Sequence, residues 1–207
     1  RNDAALLNAS GAISYRLPVV MAYVINLGIP PLLFTQVLYG PALYTSSILI
    51  GVYWLSVVFL VIAAYFILYM MSNRAETNRA YGWLGLIALI VVLKVGLIYS
   101  TNMSLMLRPD AWLNLYRGDP FGATLATTET TMPRWLFMML GSVGMSGVGL
   151  LLLGMKPGLD PLAAGLMRRW GGRLLAVFTV VQAVLALAVY RAQPAGVQEW
   201  LLANSYY

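Results

Sequence analysis

Between Gly82 and Leu105 the chain is apolar for the length of a membrane crossing and carries one formal charge, Lys94. A helix starting at Gly82 rises about 1.5 Å per residue, which brings that ammonium roughly 18 Å along its axis, near the middle of a bilayer about 30 Å thick. From that depth a lysine reaches neither interface. It must face a bundle interior, a wet cavity or a partner, so it is the first functional candidate. The run also dictates local structure, because without water the backbone has to close its hydrogen bonds within a helix.

Four further runs repeat the pattern. The sequence predicts an all-α fold, an integral membrane helical bundle of about five transmembrane helices in a single domain. The spans fall at about residues 17–39, 43–71, 82–105, 132–155 and 174–190. With 60% hydrophobic and 10% charged residues in 207, little chain remains for a soluble domain. Because the sequence opens on Arg1, an upstream start is expected. The first span is too long for the apolar core of a cleavable signal peptide. Its centre reads Asn26-Leu27-Gly28-Ile29-Pro30-Pro31, and two prolines that withhold N–H groups predict a helix broken at Pro30-Pro31. Gly40-Pro41 is read as the turn into the second span, and the leader before Leu17 shows no pattern. Interfacial segments are expected at about 105–131, 159–172 and 197–207, where Trp112, Tyr116, Trp170, Trp200, Tyr206 and Tyr207 sit among polar residues. Thr131 and Pro133 mark the start of span four.

With five spans, Arg1, Arg16, Arg74, Arg79, Lys156, Arg168, Arg169 and Arg173 share one side, against Arg108, Arg117, Arg134 and Arg191 on the other. This imbalance predicts a multi-pass protein of the bacterial inner membrane, with a cytoplasmic N-terminus and a periplasmic C-terminus. It also accounts for the net charge of +6 without a nucleic-acid partner.

Histidine and cysteine are both absent. Their absence removes disulfides, thiolate chemistry, iron–sulfur ligation and the usual haem ligands, and the few carboxylates lie outside the predicted spans. No phosphate loop, no Ser-His-Asp set, no catalytic residue and no metal site can be drawn from what is left, so an enzyme complete in this chain is not expected. The only cofactor left open is a quinone, held by neither histidine nor cysteine.

Four constellations stand out. Lys94 shares a helical face with Ile87, Ile90, Val91, Ile98, Thr101 and Asn102. It serves either as a ligand or partner contact or as a structural lock on the broken backbone at Gly28 to Pro31. Gln36, Tyr39, Tyr44, Thr45, Ser46, Ser47, Tyr99 and Asn102 fall at one membrane depth. They form either a quinone or lipid site, contacted through Gln36, Tyr39, Lys94 and Asn102, or an ordinary aromatic belt with helix caps. Gly141, Gly144 and Gly147, among other small residues of span four, form a helix-packing seam. Arg168, Arg169 and Arg173 make a basic cluster suited to phospholipid head groups.

The strings Asn26 to Phe34 with Gln36 to Gly40, Tyr44 to Ser47, Asn102 to Pro109 and Pro133-Arg134 resemble an uncharacterised family of multi-span bacterial inner-membrane proteins that accompany respiratory cytochromes. The resemblance covers about the first 150 residues. It implies an accessory subunit of a respiratory or electron-transfer complex, packed against other membrane subunits, cytochromes among them. A small-solute or ion transporter, with its site at Lys94 and the broken first helix, is the competing expectation.

Overall fold

The computed structural model describes residues 2–76 and 81–204. Arg1, Arg79, Tyr206 and Tyr207 lie outside the described residues. Eight helices are present and no strand is found among the described residues. In order they are α1 (Asn2–Ser14), α2 (Leu17–Leu49), α3 (Gly51–Glu76), α4 (Gly82–Leu105), α5 (Pro109–Gly118), α6 (Thr131–Leu153), α7 (Pro161–Arg191) and α8 (Ala195–Ala203). Five of them, α2, α3, α4, α6 and α7, are long and apolar enough to cross a membrane. The chain is an all-α, multi-pass helical membrane protein.

The expected break at Pro30-Pro31 is absent, since within α2 the one departure from helical torsions is at Tyr39 (φ −127°, ψ 27°). The reason is packing. From Val19 to Tyr39 no residue of α2 is buried, so no neighbour stands ready to take up a broken backbone, and the proline φ of about −65° lets the helix continue with only the two proline donors missing from its ladder. The bend falls where α2 meets its neighbours, through the buried Gly40, Leu43, Ser46 and Leu49. Gly40-Pro41 therefore kinks the first span instead of ending it, and the second begins at Gly51 rather than near Leu43.

The turn at Ile50 is held by a distant loop. Val52 N–H donates to the Gly122 carbonyl at 3.2 Å, and Gly122 takes φ +60° with its Cα against Gly51 and the Ile48 carbonyl oxygen. A side chain there would have no room, and the left-handed torsion is one that glycine adopts at little cost.

Two further boundaries move. The interfacial helix expected at 159–172 and the span expected at 174–190 are one helix, α7, opened by Asp160, whose carboxylate accepts the Ala163 N–H at 3.0 Å. Gly171-Gly172 does not interrupt it. Gly171 is instead a point of close approach to α6, where a Cβ would lie 2.7 Å from the Gly147 carbonyl oxygen. The leader, too, is structured: Ala9 of α1 packs with Ala163 and Met167 of α7, and the Tyr81 hydroxyl donates to Ser10 Oγ at 2.8 Å.

Two clusters of buried apolar side chains lie at opposite ends of the bundle. At the α1 end lie Ala9, Ala163 and Met167. At the other lie Leu49, Ile50, Ile98 and Leu105, covered by Trp54, Trp112 and Leu115. Trp112 docks the interfacial α5 on this second core by donating its indole N–H to the Leu105 carbonyl at 2.9 Å.

Candidate functional site

The polar centre of the α5 end is Asn102, fully buried on the last turn of α4. Its Oδ1 accepts from Ser46 Oγ at 2.6 Å and its Nδ2 donates to Ser47 Oγ at 2.8 Å, both on the segment of α2 beyond the Tyr39 bend. Ser47 donates in turn to the Leu43 carbonyl at 2.7 Å, and the same carbonyl lies 3.0 Å from Ser46 Oγ, a second acceptor for that single hydroxyl proton. Alongside, Ser100 Oγ donates to the Thr131 carbonyl at 2.8 Å, tying α4 to the first turn of α6. Thr131 Oγ1 in turn accepts the Thr128 N–H at 2.9 Å. In an apolar surround each unpaired polar group is costly, so this cluster fixes where three helices meet.

Of the four predicted ligand contacts, the structure brings Asn102 together with serines and leaves the other three apart. Gln36 is half-buried and Tyr39 exposed on the open stretch of α2, and neither side chain makes a hydrogen bond among the described residues. Lys94 is exposed as well, without a hydrogen bond or ion pair among the described residues. The expected lock of Lys94 on Gly28 to Pro31 is therefore not formed. The shared face predicted for Lys94 divides along its length. Trp83, Ile87, Ile90 and Lys94 form an open stripe, while Ile98, Thr101 and Asn102 are fully buried beneath the end of α2. A cation at mid-span thus points outward from the bundle.

The glycine seam of α6 has its partner within the chain. Gly141 lies against Gln182, Gly144 against Phe178 and Gly147 against Gly171 and Leu175, so the two helices run antiparallel in close contact. Gln182 Nε2 donates to the Phe137 carbonyl at 3.0 Å across the same interface. On the opposite side α6 meets α4, where Trp135 donates its indole N–H to the Leu93 carbonyl at 3.1 Å beside Gly96.

Arg168, Arg169 and Arg173 are exposed on the first half of α7, with the Arg173 guanidinium 5.6 Å from the Trp170 ring centroid. At the α5 end Arg108 is forked onto Asp110, with nitrogen–oxygen distances of 3.2 and 3.1 Å. This hydrogen bond raises the affinity of Arg108 for its proton and holds the Asp110 carboxyl below its ordinary range. Asp119, closing the loop after α5, is likewise lowered, by hydrogen bonding to Thr124 and then to the Phe121 and Ala123 backbone. Among the described residues no group of three or more His, Cys, Asp or Glu side chains could hold a metal.

Arg134 entered the sequence reading only through the charge balance and the resemblance, and Ser104 only through the resemblance, although both stand out at this end. Arg134 is half-buried with a single 3.5 Å contact to the Met103 carbonyl, and the buried Ser104 hydroxyl has no partner. The isolated basic residue so near the start of an apolar run was the available signal. No family model matches the chain, and neither a curated protein nor a solved structure matches it.

Proposed function

We propose that this chain is an accessory, non-catalytic subunit of a larger bacterial membrane assembly of the respiratory or electron-transfer kind, docked against a redox subunit. One observation carries the reading. Lys94 stands at mid-span on an outward face with no counter-charge among the described residues. A lone ammonium facing hydrocarbon is costly, and the spans of this chain contain no carboxylate to offset it, so a neighbouring subunit supplies one. The same neighbour covers the unburied Val19–Tyr39 stretch of α2 and completes any quinone or lipid contact at Gln36 and Tyr39. Without histidine or cysteine, redox cofactors belong to the partner. The basic cluster at Arg168, Arg169 and Arg173 marks the cytoplasmic side, leaving α5 and the C-terminus in the periplasm.

The test is mild detergent extraction from native membranes, followed by mass spectrometry and a visible spectrum of the same sample. Cytochromes or other redox subunits in fixed ratio, lost in Lys94→Met, are the expected result. A colourless species containing this chain alone overturns the reading and returns the transporter to first place.

A further inference from the structure

Where α4 and α7 end and α6 begins, these helices and α8 border an open cavity of about 590 Å³. Ser104, Thr130 and Arg134 lie on its wall, with Tyr190 and Leu201 opposite. A second space of about 200 Å³ adjoins it, bordered by Tyr99, Met103, Phe137 and Met138, and Arg134 and Val189 belong to both. Phe137 and Met138 follow Arg134 along α6, and Tyr99 precedes Ser104 on α4, so this narrower arm runs from the interface toward the bilayer centre. The combined space is polar at its mouth and apolar in its depth.

The charges at the mouth do not cancel. Arg108 is closed by Asp110, whereas Arg134 meets no carboxylate within ion-pair distance among the described residues. Its guanidinium spends one donor on the Met103 carbonyl at 3.5 Å. The Ser104 hydroxyl, fully buried on the same wall, has no acceptor or donor. A half-buried guanidinium with donors to spare at the mouth of an apolar slot calls for an oxyanion attached to hydrocarbon. We infer that this space binds an acyl-chain amphiphile with an oxyanion head, the head held by Arg134 and the chain lying along Tyr99, Phe137 and Met138. The phosphate of a membrane phospholipid and the carboxylate of a free fatty acid share this chemistry. The site is separate from Arg168, Arg169 and Arg173, which lie on the first half of α7, toward the other end of the bundle.

Native mass spectrometry of the full chain in detergent, titrated with two pairs of probes, tests the site. The pairs are oleate against oleyl alcohol, and dioleoylphosphatidylglycerol against dioleoylglycerol. At least one anionic probe is expected to bind about tenfold more tightly than its neutral counterpart, as a charge-assisted hydrogen bond provides. The stronger of the two discriminations identifies carboxylate or phosphate. Arg134→Gln abolishes the discrimination, and Val189→Trp, which fills the slot, weakens the charged and neutral probes together. Equal binding of charged and neutral probes to the unaltered chain overturns the inference, as does discrimination that survives Arg134→Gln. Should Arg134→Gln fail to fold, the headgroup comparison and Val189→Trp still decide.

Discussion

Gly147 and Gly171 face each other across α6 and α7, each closed off by the other's carbonyl: a Cβ on Gly147 would lie 2.6 Å from the Gly171 oxygen, and one on Gly171 2.7 Å from the Gly147 oxygen. The obstacles are backbone atoms, which cannot swing aside, so a methyl must push the helices apart. Gly147→Ala and Gly171→Ala are each expected to destabilise the bundle by about 1–3 kcal/mol, as overpacking does. Because both act on one contact, the second substitution costs less once the first has parted the helices. Gly149 has open space at its Cα, so Gly149→Ala is expected to be neutral or stabilising by up to about 1 kcal/mol. Unfolding in mixed micelles under rising SDS measures all three.

The Asn102 cluster makes a different prediction. Ser46→Ala leaves Asn102 Oδ1 buried without its 2.6 Å donor, while Asn102→Ala leaves both serines bonded to Leu43. The Ser46–Asn102 coupling in a double-mutant cycle is expected at about 0.6 kcal/mol and no more than about 1.7, the range for hydrogen bonds between membrane helices. A coupling near zero in the same SDS titration would mean that the bond does not hold α2 to α4.

What could be read from the sequence follows from how lipid solvates a chain. Five crossings were legible because apolar length alone decides them, and the seam at Gly141, Gly144 and Gly147 because small residues admit a backbone wherever they occur together. Facing was not legible. Ile90 and Ile98 lie on one side of α4, are chemically identical, and end respectively exposed and fully buried. In water the apolar face is the buried one, but in lipid both faces are apolar and the pattern carries no sign. The turn at Ile50 was hidden for another reason: the glycine that makes it possible, Gly122, belongs to a loop remote in sequence. Gly40-Pro41 was misleading because a proline that stops a helix in water merely bends one that must stay hydrogen-bonded in a membrane.

Lys94 offers a prediction that separates partner binding from folding. A central lysine opposes helix insertion by about 2.5–3.5 kcal/mol on the translocon scale, and this one makes no bond within the described chain. Lys94→Met is therefore expected to leave the isolated chain as stable or to make it more stable, while removing its partner from the co-purified complex. Lys94→Arg keeps the charge and is expected to retain the partner. If Lys94→Met destabilised the isolated chain in SDS titration by more than about 1 kcal/mol, the lysine would be acting within the bundle, because a surface substitution away from any contact stays well below that.

The last prediction concerns acid. Thr124 N–H donates to Asp119 Oδ2 at 2.6 Å, and the bonding to Thr124 holds the folded carboxyl below its ordinary range. A carboxylate with a depressed folded pKa adds stability that is fully present above its unfolded pKa and is lost as pH falls through the folded one. The loop it closes carries Gly122, whose carbonyl receives the Val52 N–H at the turn between α2 and α3. Protonating Asp119 should therefore loosen contacts well beyond its own loop. The wild-type thermal midpoint is expected to hold level down to about pH 5 and to fall below about pH 4, where the unfolded carboxyl takes up its proton, and that of Asp119→Asn to start lower and fall less. Asp110, also depressed by its bond to Arg108, keeps part of the decline in both proteins, so the difference between the two curves isolates Asp119. Parallel curves would show that the Thr124 bond exerts no pull on folding, and that Gly122 keeps its place through its bond to Val52 and its packing against Gly51 and Ile48.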